Sequence, residues 1–253
     1  MLGEGGTKRE RLDKLLVDRG LVGSRERARR LIMAGEVWVL GRRVDKPGTP
    51  VPADASVDVR GADIPFVSRG GLKLDAALAH WAIDVSGRIA VDVGASTGGF
   101  TDCLLQRGVR HVYAIDVGYG QFAWALRRDP RVTLFERANI RDFDPAQLST
   151  LAEVAVIDVS FISLRLVLPT VLKLVVPGGV VLPLVKPQFE VGKGEVGKGG
   201  VVRDPERQQA AVDTVREFGA TLGVICHGDC PSPILGPKGN QECFLYFTVP
   251  SVR

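Results

Sequence analysis

The feature that most constrains the fold is a regular alternation of short apolar runs with helical segments over the last three quarters of the chain. The apolar runs cover residues 88–94, 111–118, 132–136, 153–161 and 179–186. Apolar residues at helical spacing mark the intervening segments 98–108, 120–128 and 162–175, and Pro169 predicts a kink in the last of them. Repeated strand–helix units predict an α/β fold with a doubly wound, mostly parallel sheet.

Two segments lie outside this alternation. Residues 223–230 and 241–249 are strand-like and are joined by a Pro- and Gly-rich stretch, which predicts an antiparallel pair at the end of the sheet. Residues 61–66 contain Gly and Pro without periodicity and predict a linker. Since 253 residues suffice for two domains, we expect a small α+β domain at 1–60 and a larger one at 67–253.

The first 60 residues carry the whole excess of positive charge. They contain 13 Lys or Arg and 9 Asp or Glu, whereas the rest of the chain contains 20 of each. The pattern predicts a helix from residue 11 to Gly20, a helix from Ser24 to Gly35, a hairpin at Gly41 and a further strand within 51–61. A basic module joined to a neutral one is typical of a polyanion-binding domain attached to an enzyme. A merely solvated basic surface is the alternative.

The arginines of this module are the candidate RNA-binding residues. Several of them lie on the second predicted helix or beside the hairpin, where they could neutralise phosphates without reading any base. Structured RNA is a natural target, since its helices are recognised mainly by shape and backbone. The candidates are Arg11, Arg25, Arg29, Arg30, Arg42 and Arg43. The residues Arg11-Leu12-Asp13, Ser24-Arg25, Ala28, Gly35 and Val37 also resemble the S4 RNA-binding domain, over residues 9–60.

A glycine-rich segment after the first strand of the larger domain predicts a cofactor loop. The strand ends at Gly94, and glycines there let a ligand approach the backbone at the carboxyl edge of the sheet. The next strand ends in Asp116, 22 residues beyond Gly94, at a suitable distance for a carboxylate that binds ribose hydroxyls. Because Ser96 stands where GxGxxG has its second glycine, the loop favours S-adenosylmethionine over a nicotinamide cofactor. A tight strand–helix turn without a ligand is the alternative. The candidate cofactor-binding residues are Asp92, Gly94, Ser96, Thr97, Gly98, Gly99, Phe100, Asp116, Asn139, Asp142 and Asp158, with Asn139 or Asp142 near the adenine.

Two further motifs suggest other ligands. Residues 192–199 superficially fit a phosphate loop, but Gly199 stands where a Ser or Thr would bind magnesium. We interpret residues 190–199 as a tandem Glu-Val-Gly-Lys-Gly repeat, at 190–194 and 195–199, in a mobile basic loop beside the carboxyl edge of the sheet. Cys226, His227 and Cys230 lack a fourth partner at recognisable spacing, so no metal is predicted.

Four charged residues among apolar neighbours are the candidate catalytic residues. Asp158 lies in the run 153–161 and Lys186 ends the next run, so the two charges should meet and pair at the carboxyl edge of the sheet. Lys73 precedes the first strand, and Glu242 enters the last. For each residue taken singly, a structural ion pair or a solvated position is the alternative.

These motifs together resemble the TlyA family. The resemblance is carried by residues 68–74, 92–102, 114–121, 158–161, 185–190 and 197–204, and it covers nearly the whole chain. Members are ribosomal RNA 2′-O-ribose methyltransferases, often labelled hemolysins, with an S4 domain ahead of an FtsJ-like domain. The resemblance implies a class I methyltransferase fold, S-adenosylmethionine as the cofactor, and a Lys-Asp-Lys-Glu tetrad at Lys73, Asp158, Lys186 and Glu242. It also implies a cytidine of small- or large-subunit RNA as the methylated nucleotide.

The required chemistry agrees with these residues. A ribose hydroxyl must lose its proton as it attacks a sulfonium methyl group, so a base is needed beside a firmly held donor. Lys186 is the candidate base. A charged Lys186 would instead orient the hydroxyl and stabilise the developing negative charge.

Three other functions fit parts of the pattern. A base-methylating enzyme would share the sheet and loop, but residues 158–161 lack the prolines of amino-directed enzymes, and no cysteine nucleophile stands there. An inactive RNA-binding ribosome-assembly factor is disfavoured because all four charged residues are present. A secreted pore-forming hemolysin conflicts with the lack of a signal sequence and of an apolar run of about 20 residues. We therefore expect a cytoplasmic, monomeric protein that acts on ribosomal RNA within ribosomal subunits and not on membranes.

Overall fold

The computed structural model describes residues 9–59 and 64–251, except residues 193, 195, 198 and 237. The chain divides into two compact units, Met1–Arg69 and Gly70–Arg253. The predicted linker at 61–66 lies partly outside the described residues, and its bounds stay a prediction. No helix in the described part of the chain is long and apolar enough to cross a membrane.

The N-terminal unit contains two short helices and two small antiparallel sheets. Its elements in chain order are β1 (Arg9–Arg11), α1 (Leu12–Asp18), α2 (Arg25–Met33), β2 (Val37–Val39), β3 (Arg42–Arg43), β4 (Pro50–Pro52) and β5 (Val57–Val59). One sheet pairs β1 with β4, and the other has the order β3–β2–β5. Both helices, the hairpin and the strand after it are confirmed. The β1–β4 pair was not predicted, because strands of three residues are too short to show a period of two.

Local contacts explain how α2 begins and ends. The Ser24 side chain accepts a hydrogen bond from the Arg27 backbone N–H at 3.2 Å and so caps the first turn. Gly35 follows the helix with φ +71°, and a Cβ there would lie 1.8 Å from Nη2 of Arg43. That Nη2 donates to the Ala34 carbonyl at 3.2 Å. Only glycine therefore lets the Arg43 guanidinium cross the end of the helix.

The larger unit is built around one seven-stranded sheet. Its elements in chain order are α3 (Gly70–His80), β6 (Ile89–Val93), α4 (Gly99–Gln106), β7 (His111–Asp116), α5 (Trp124–Arg127), β8 (Val132–Glu136), β9 (Ala152–Ile157), α6 (Leu168–Val171), β10 (Val175–Val185), α7 (Pro187–Glu190), α8 (Pro205–Thr221), β11 (Ile225–Pro231) and β12 (Cys243–Thr248). The strand order is β11–β12–β10–β9–β6–β7–β8. The strands from β10 to β8 pair in parallel, while β12 is antiparallel to both β10 and β11. The doubly wound, mostly parallel sheet and the antiparallel pair at its end are confirmed.

The sheet lies in the core, and this determines where polar groups can appear. Every residue of β6 is buried, and β7 and β9 are buried along nearly their whole lengths. Their apolar side chains join those of β10 and α6 in one core cluster. Because the strands β7, β6, β9 and β10 run in parallel, their carboxyl ends meet at one edge, where polar residues can reach a ligand.

Three features of the larger unit differ from the sequence predictions. Strand β9 ends at Ile157, so Asp158 follows the strand; its backbone N–H donates to the Val93 carbonyl at 2.9 Å. Residues 162–175 do not form one kinked helix, because α6 is flanked by separate 3-10 turns and carries Pro169 in its first turn. Helix α8, of 17 residues, was not predicted. Only four of its residues are buried, namely Ala211, Val212, Val215 and Gly219, so the apolar face is short and gives a weak periodic signal.

Candidate active site

A cleft of about 460 Å³ opens at the carboxyl edge of the sheet, where β6, β7 and β9 end. Its lining includes five of the predicted cofactor-binding residues: Gly94, Ser96, Asp116, Asn139 and Asp158. Most of the exposed lining is apolar, with carboxylates among it. A cleft of this size and character suits a ligand as large as a nucleoside with a side chain.

Gly94 allows the loop after β6 to pass against the end of β9. Its φ is +85°, and a Cβ at this position would lie 2.6 Å from the backbone carbonyl oxygen of Asp158. The Gly94 N–H donates to the carbonyl of Ile115 at 2.9 Å. The loop is therefore held between β7 and the residue that follows β9, with no room for a side chain.

Asp116, at the end of β7, is held firmly in the cleft. Its carboxylate accepts hydrogen bonds from the backbone N–H of Ser96 at 2.7 Å and of Gly118 at 2.6 Å, and from the Gln121 side chain at 3.1 Å. Ser96 adopts φ +50°, a conformation that glycine usually provides. A carboxylate has about four lone-pair positions, so Asp116 can accept a further hydrogen bond from a ligand hydroxyl. Gln121 was not predicted, although it lies in the motif at 114–121.

The remaining predicted cofactor-binding residues do not belong to the cleft lining: Asp92, Thr97, Gly98, Gly99, Phe100 and Asp142. Asp92 and Phe100 are buried behind the loop, where the Phe100 ring packs 5.8 Å from that of Phe244. Gly98 precedes the first turn of α4, and Thr97 accepts a backbone hydrogen bond from Ala123 at 3.1 Å. Asp142 is exposed in a 3-10 turn. Their assignment to the cofactor stays a prediction.

Asp92 has an unusual electrostatic environment. The side chain is fully buried and accepts a hydrogen bond from the Thr101 hydroxyl at 2.6 Å. Its Oδ1 has no hydrogen-bond partner among the described residues. Burial raises the pKa of Asp92 to about 7, although the hydrogen bond from Thr101 acts in the opposite direction. This carboxyl group supports the loop from behind and can carry a proton near neutral pH.

Two of the candidate catalytic residues form an ion pair at the edge of the cleft. The Nζ atom of Lys186, directly after β10, lies 2.6 Å from Oδ1 of Asp158. The same Nζ donates to the Ser160 hydroxyl at 2.9 Å. The expectation that these two charges pair is confirmed, because β9 and β10 are adjacent parallel strands. Ser160 was not predicted, although it stands only two residues after Asp158.

The other two candidate catalytic residues form a second, more deeply buried ion pair. The Nζ atom of Lys73, on α3, lies 2.5 Å from Oε2 of Glu242, and both side chains are buried. A Cβ at Gly236 would lie 2.4 Å from Oε1 of Glu242, so this glycine makes room for the carboxylate. The antiparallel register pairs Val185 with Cys243, which places Glu242 beside Lys186 on the neighbouring strand. The strand order therefore assembles all four charges at one edge.

This arrangement can act on a proton beside a ligand in the cleft. Asp158 lines the cleft and contacts Lys186, so a ligand there lies next to the ion pair. A charged lysine has three N–H donors; the Ser160 hydroxyl accepts one of them, and Oδ1 of Asp158 lies 2.6 Å from Nζ as an ion pair. A position on Nζ that neither residue uses can then serve an incoming group, either as a donor to it or, in the uncharged amine, as an acceptor of its proton.

The N-terminal unit places the six predicted RNA-binding residues in different surroundings. Arg11, Arg25 and Arg29 meet at the carboxylate of Asp13. Arg43 is engaged with the end of α2, as described above. Arg30 is half-buried in the last turn of α2, and Arg42 is exposed in β3. Three of the six candidates are thus brought together by one acidic residue that the charge pattern did not single out.

Two other predicted features concern the loops. No group of three or more His, Cys, Asp or Glu in the described part of the chain is arranged to hold a metal ion. The predicted repeat at 190–199 includes Lys193, Glu195 and Lys198, which lie outside the described residues. The interpretation of that segment as a mobile loop therefore stays a prediction.

Comparison with known proteins matches both units. An FtsJ-like methyltransferase model matches residues 66–248, and an S4 domain model matches residues 10–57. The chain is 50% identical over 245 residues to a candidate rRNA methyltransferase, YqxC of Bacillus subtilis, which covers 96% of this chain and 87% of that protein. It is 47% identical over 247 residues to the 16S/23S rRNA (cytidine-2′-O)-methyltransferase TlyA of Mycobacterium tuberculosis, with coverage of 97% and 92%. A solved structure of a candidate hemolysin from Streptococcus thermophilus shares 43% identity at a TM-score of 0.76, with coverage of 97% and 90%.

Proposed function

Because the chain belongs to the TlyA family of FtsJ-like methyltransferases, we propose that it transfers a methyl group from S-adenosylmethionine to a ribose 2′-hydroxyl of ribosomal RNA. The resemblance predicted from the sequence is thus confirmed at the level of the family. The observation that carries the proposal is the Lys186–Asp158 ion pair, at 2.6 Å, on the edge of a nucleoside-sized cleft. A ribose hydroxyl needs such a group beside it, because it must lose a proton during the transfer.

The cleft fits S-adenosylmethionine by its chemistry. The Asp116 carboxylate is oriented by three donors and retains capacity for a ribose hydroxyl. The absence of a side chain at Gly94 lets the loop lie against the Asp158 backbone, and both residues then form part of the cleft wall. When bound, S-adenosylmethionine supplies a methyl group on a sulfonium centre. We assign Gly94, Ser96, Asp116 and Asn139 to its recognition.

The tetrad acts on the nucleophile. As the bond between the ribose oxygen and the methyl carbon forms and the carbon–sulfur bond breaks, the hydroxyl proton must leave. Lys186 in its uncharged form would accept this proton, and Asp158 would then stabilise the resulting cation. If Lys186 is charged throughout, its free N–H would hold the oxygen in line and stabilise the negative charge that develops there. Lys73 and Glu242 neutralise each other and support the edge on which Lys186 stands.

The N-terminal unit supplies the affinity for RNA in this proposal. An S4 domain with a surplus of arginine binds the phosphate backbone and positions the larger unit on its substrate. The curated relative in Mycobacterium tuberculosis is named for cytidine in 16S and 23S RNA, and we propose cytidine here as well. The protein would then act as a monomer on ribosomal subunits in the cytoplasm.

A methylation assay tests the proposal. The chain is incubated with ribosomal subunits from cells that lack this activity and with methyl-labelled S-adenosylmethionine, and the RNA is hydrolysed in alkali. A 2′-O-methyl group blocks cleavage at its own phosphodiester, so the label should appear in an alkali-resistant dinucleotide. Label in a mononucleotide would indicate base methylation, and an absence of label would indicate an inactive assembly factor.

Two controls sharpen the assay. Lys186→Ala should reduce the rate of labelling by about 10² or more, whereas Lys173→Ala, at an exposed lysine of the same unit, should leave it unchanged. Calorimetry with S-adenosylmethionine and with NAD tests the cofactor separately. Binding of NAD alone would overturn the assignment of the cleft.

A further inference from the structure

Asp13 is an acidic residue at the centre of the most basic part of the N-terminal unit. It lies in the first turn of α1, and its side chain is 0% exposed. Three arginines surround it, and their side chains are about half exposed: 48% for Arg11, 54% for Arg25 and 55% for Arg29. A buried carboxylate thus lies beneath three cations that face solvent.

The contacts differ between the three arginines. Arg11 binds Asp13 with two parallel hydrogen bonds, from Nε and Nη2, each of 3.0 Å. Arg25 and Arg29 are four residues apart on α2, and each reaches Oδ2 of Asp13 with Nε at 3.3 Å. Their closest contact thus uses the inner nitrogen of the guanidinium. An arginine that contacts a carboxylate through Nε can offer its outer nitrogens to a second anion.

The charge balance does not explain an acid at this place. If RNA binding depended only on the number of positive charges, Asp13 would weaken it by cancelling one of them. Its hydrogen bond with Arg11, together with the neighbouring arginine charges, lowers the pKa of Asp13 to about 2, against the effect of burial. The group therefore stays charged at any physiological pH. What it provides is a fixed location for three otherwise flexible side chains.

We propose that Asp13 is a positioning residue that assembles Arg11, Arg25 and Arg29 into one binding site for the phosphate backbone of RNA. The inference rests on the proposed function and adds to it a defined site and a residue that acts through others. Each arginine that is ordered before RNA arrives loses less conformational entropy on binding. A guanidinium held by Nε also keeps its planar outer edge free for a phosphate, which ammonium groups cannot imitate.

The test compares two carboxylates of the same helix. Asp13→Asn and Asp18→Asn each remove one negative charge from α1. Asp18 is exposed, and within the described part of the chain its one ion pair is with Lys14, at 3.3 Å. Binding of a fluorescein-labelled RNA stem-loop to the full chain is measured by anisotropy between roughly 50 and 200 mM salt. We expect Asp13→Asn to weaken binding about tenfold and to lower the salt slope by about one phosphate contact. Asp18→Asn should leave affinity within about twofold of the parent.

An increase in RNA affinity in Asp13→Asn would overturn the inference. A purely electrostatic surface predicts that both substitutions strengthen RNA binding, by similar factors. If Asp13→Asn binds as tightly as Asp18→Asn or more tightly, Asp13 does not position the arginines. A parent chain that fails to bind the stem-loop at all would instead count against the proposed role of this unit in RNA binding, so the two failures can be told apart.

A second variant covers the case in which Asp13→Asn unfolds the small unit. Arg25→Lys keeps the charge at a half-exposed position, but an ammonium cannot bind Asp13 and a phosphate with separate edges. We expect about tenfold weaker binding with an unchanged number of charges. Arg9→Lys, the same substitution at an exposed arginine of β1 that is not among the candidate RNA-binding residues, is the matched control and should change affinity by less than about twofold. Equal affinities of the two lysine variants would overturn the inference independently of Asp13.

Discussion

Replacing Gly94 with alanine should show whether the cofactor loop requires the close contact between Gly94 and the Asp158 backbone. Gly94 has φ +85°, and an added Cβ would lie 2.6 Å from the carbonyl oxygen and 2.9 Å from the carbonyl carbon of Asp158. Gly223, after α8, has the nearly identical φ of +83°, but no atom lies within 4 Å of its added Cβ. Gly223→Ala therefore measures the cost of the backbone conformation alone, and Gly94→Ala adds the steric conflict.

The expected losses of unfolding free energy follow from the cost of the backbone conformation and the cost of the steric conflict. An alanine in the left-handed region costs about 1–2 kcal/mol, and restriction of the unfolded chain returns about 0.4–1 kcal/mol, so Gly223→Ala should lower the free energy of unfolding by about 1 kcal/mol. Overpacking against backbone that cannot rotate away costs a further 1–3 kcal/mol or so. Gly94→Ala should therefore cost about 2–4 kcal/mol. Near the midpoint, these values correspond to roughly 2–4 °C for Gly223→Ala and roughly 4–16 °C for Gly94→Ala.

The assay combines thermal unfolding of the full chain with calorimetric binding of S-adenosylhomocysteine. We expect Gly94→Ala to weaken binding strongly, because the loop and Asp158 must both move, whereas Gly223→Ala should bind like the parent. Equal melting temperatures for the two variants would show that Gly94 is not confined by Asp158. A large loss of stability without any loss of binding would show that the loop does not form the cofactor site.

Three further predictions concern the buried charges. Lys186→Ala should reduce turnover by about 10² or more with little change in cofactor or RNA affinity. Lys186→Arg should be nearly as damaging, because a guanidinium cannot accept the proton. If the arginine variant retains methylation in a single-turnover assay, Lys186 acts as an electrostatic positioner and not as a base. The folded-state pKa of Asp92 is raised from 3.8 to about 7, so between these pH values the native state binds more protons than the unfolded state. The free energy of unfolding therefore falls as pH rises through this window, by up to roughly 4 kcal/mol. Urea midpoints at pH 5 and pH 8 should show about two thirds of this fall in the parent and a smaller one in Asp92→Asn. An equal fall in both would refute the assignment to Asp92. Gly236→Ala should displace the Glu242 carboxylate and should lower turnover more than it lowers the affinity for S-adenosylhomocysteine. Normal turnover in a folded variant would show that the position of Glu242 is not critical.

The sequence alone predicted the parts of the fold that depend on local periodicity. Alternating apolar runs and helical segments are sufficient for a parallel sheet, because each strand–helix unit must bury its apolar face against its neighbours. The same logic placed Asp158 and Lys186 at one edge and predicted their ion pair, since both follow buried strands. Gly94 was predicted because a glycine lets a ligand approach the backbone; its positive φ and its close approach to Asp158 appear only in the structure. Helix α8 was not predicted, because only four of its 17 residues are buried and two of those are alanine and glycine, which give little contrast in hydrophobicity.

The tertiary structure decided which distant groups touch. Lys73 and Glu242 are 169 residues apart, and only the insertion of β12 beside β10 brings the second pair to the edge where the first one lies. The space at Gly236 and the clustering of three arginines around Asp13 likewise depend on how helices and strands pack against one another. Local sequence determines the conformations a segment prefers and the charges it carries, but the partner of a buried charge depends on strand order and helix packing, which are set by the burial of the whole apolar surface.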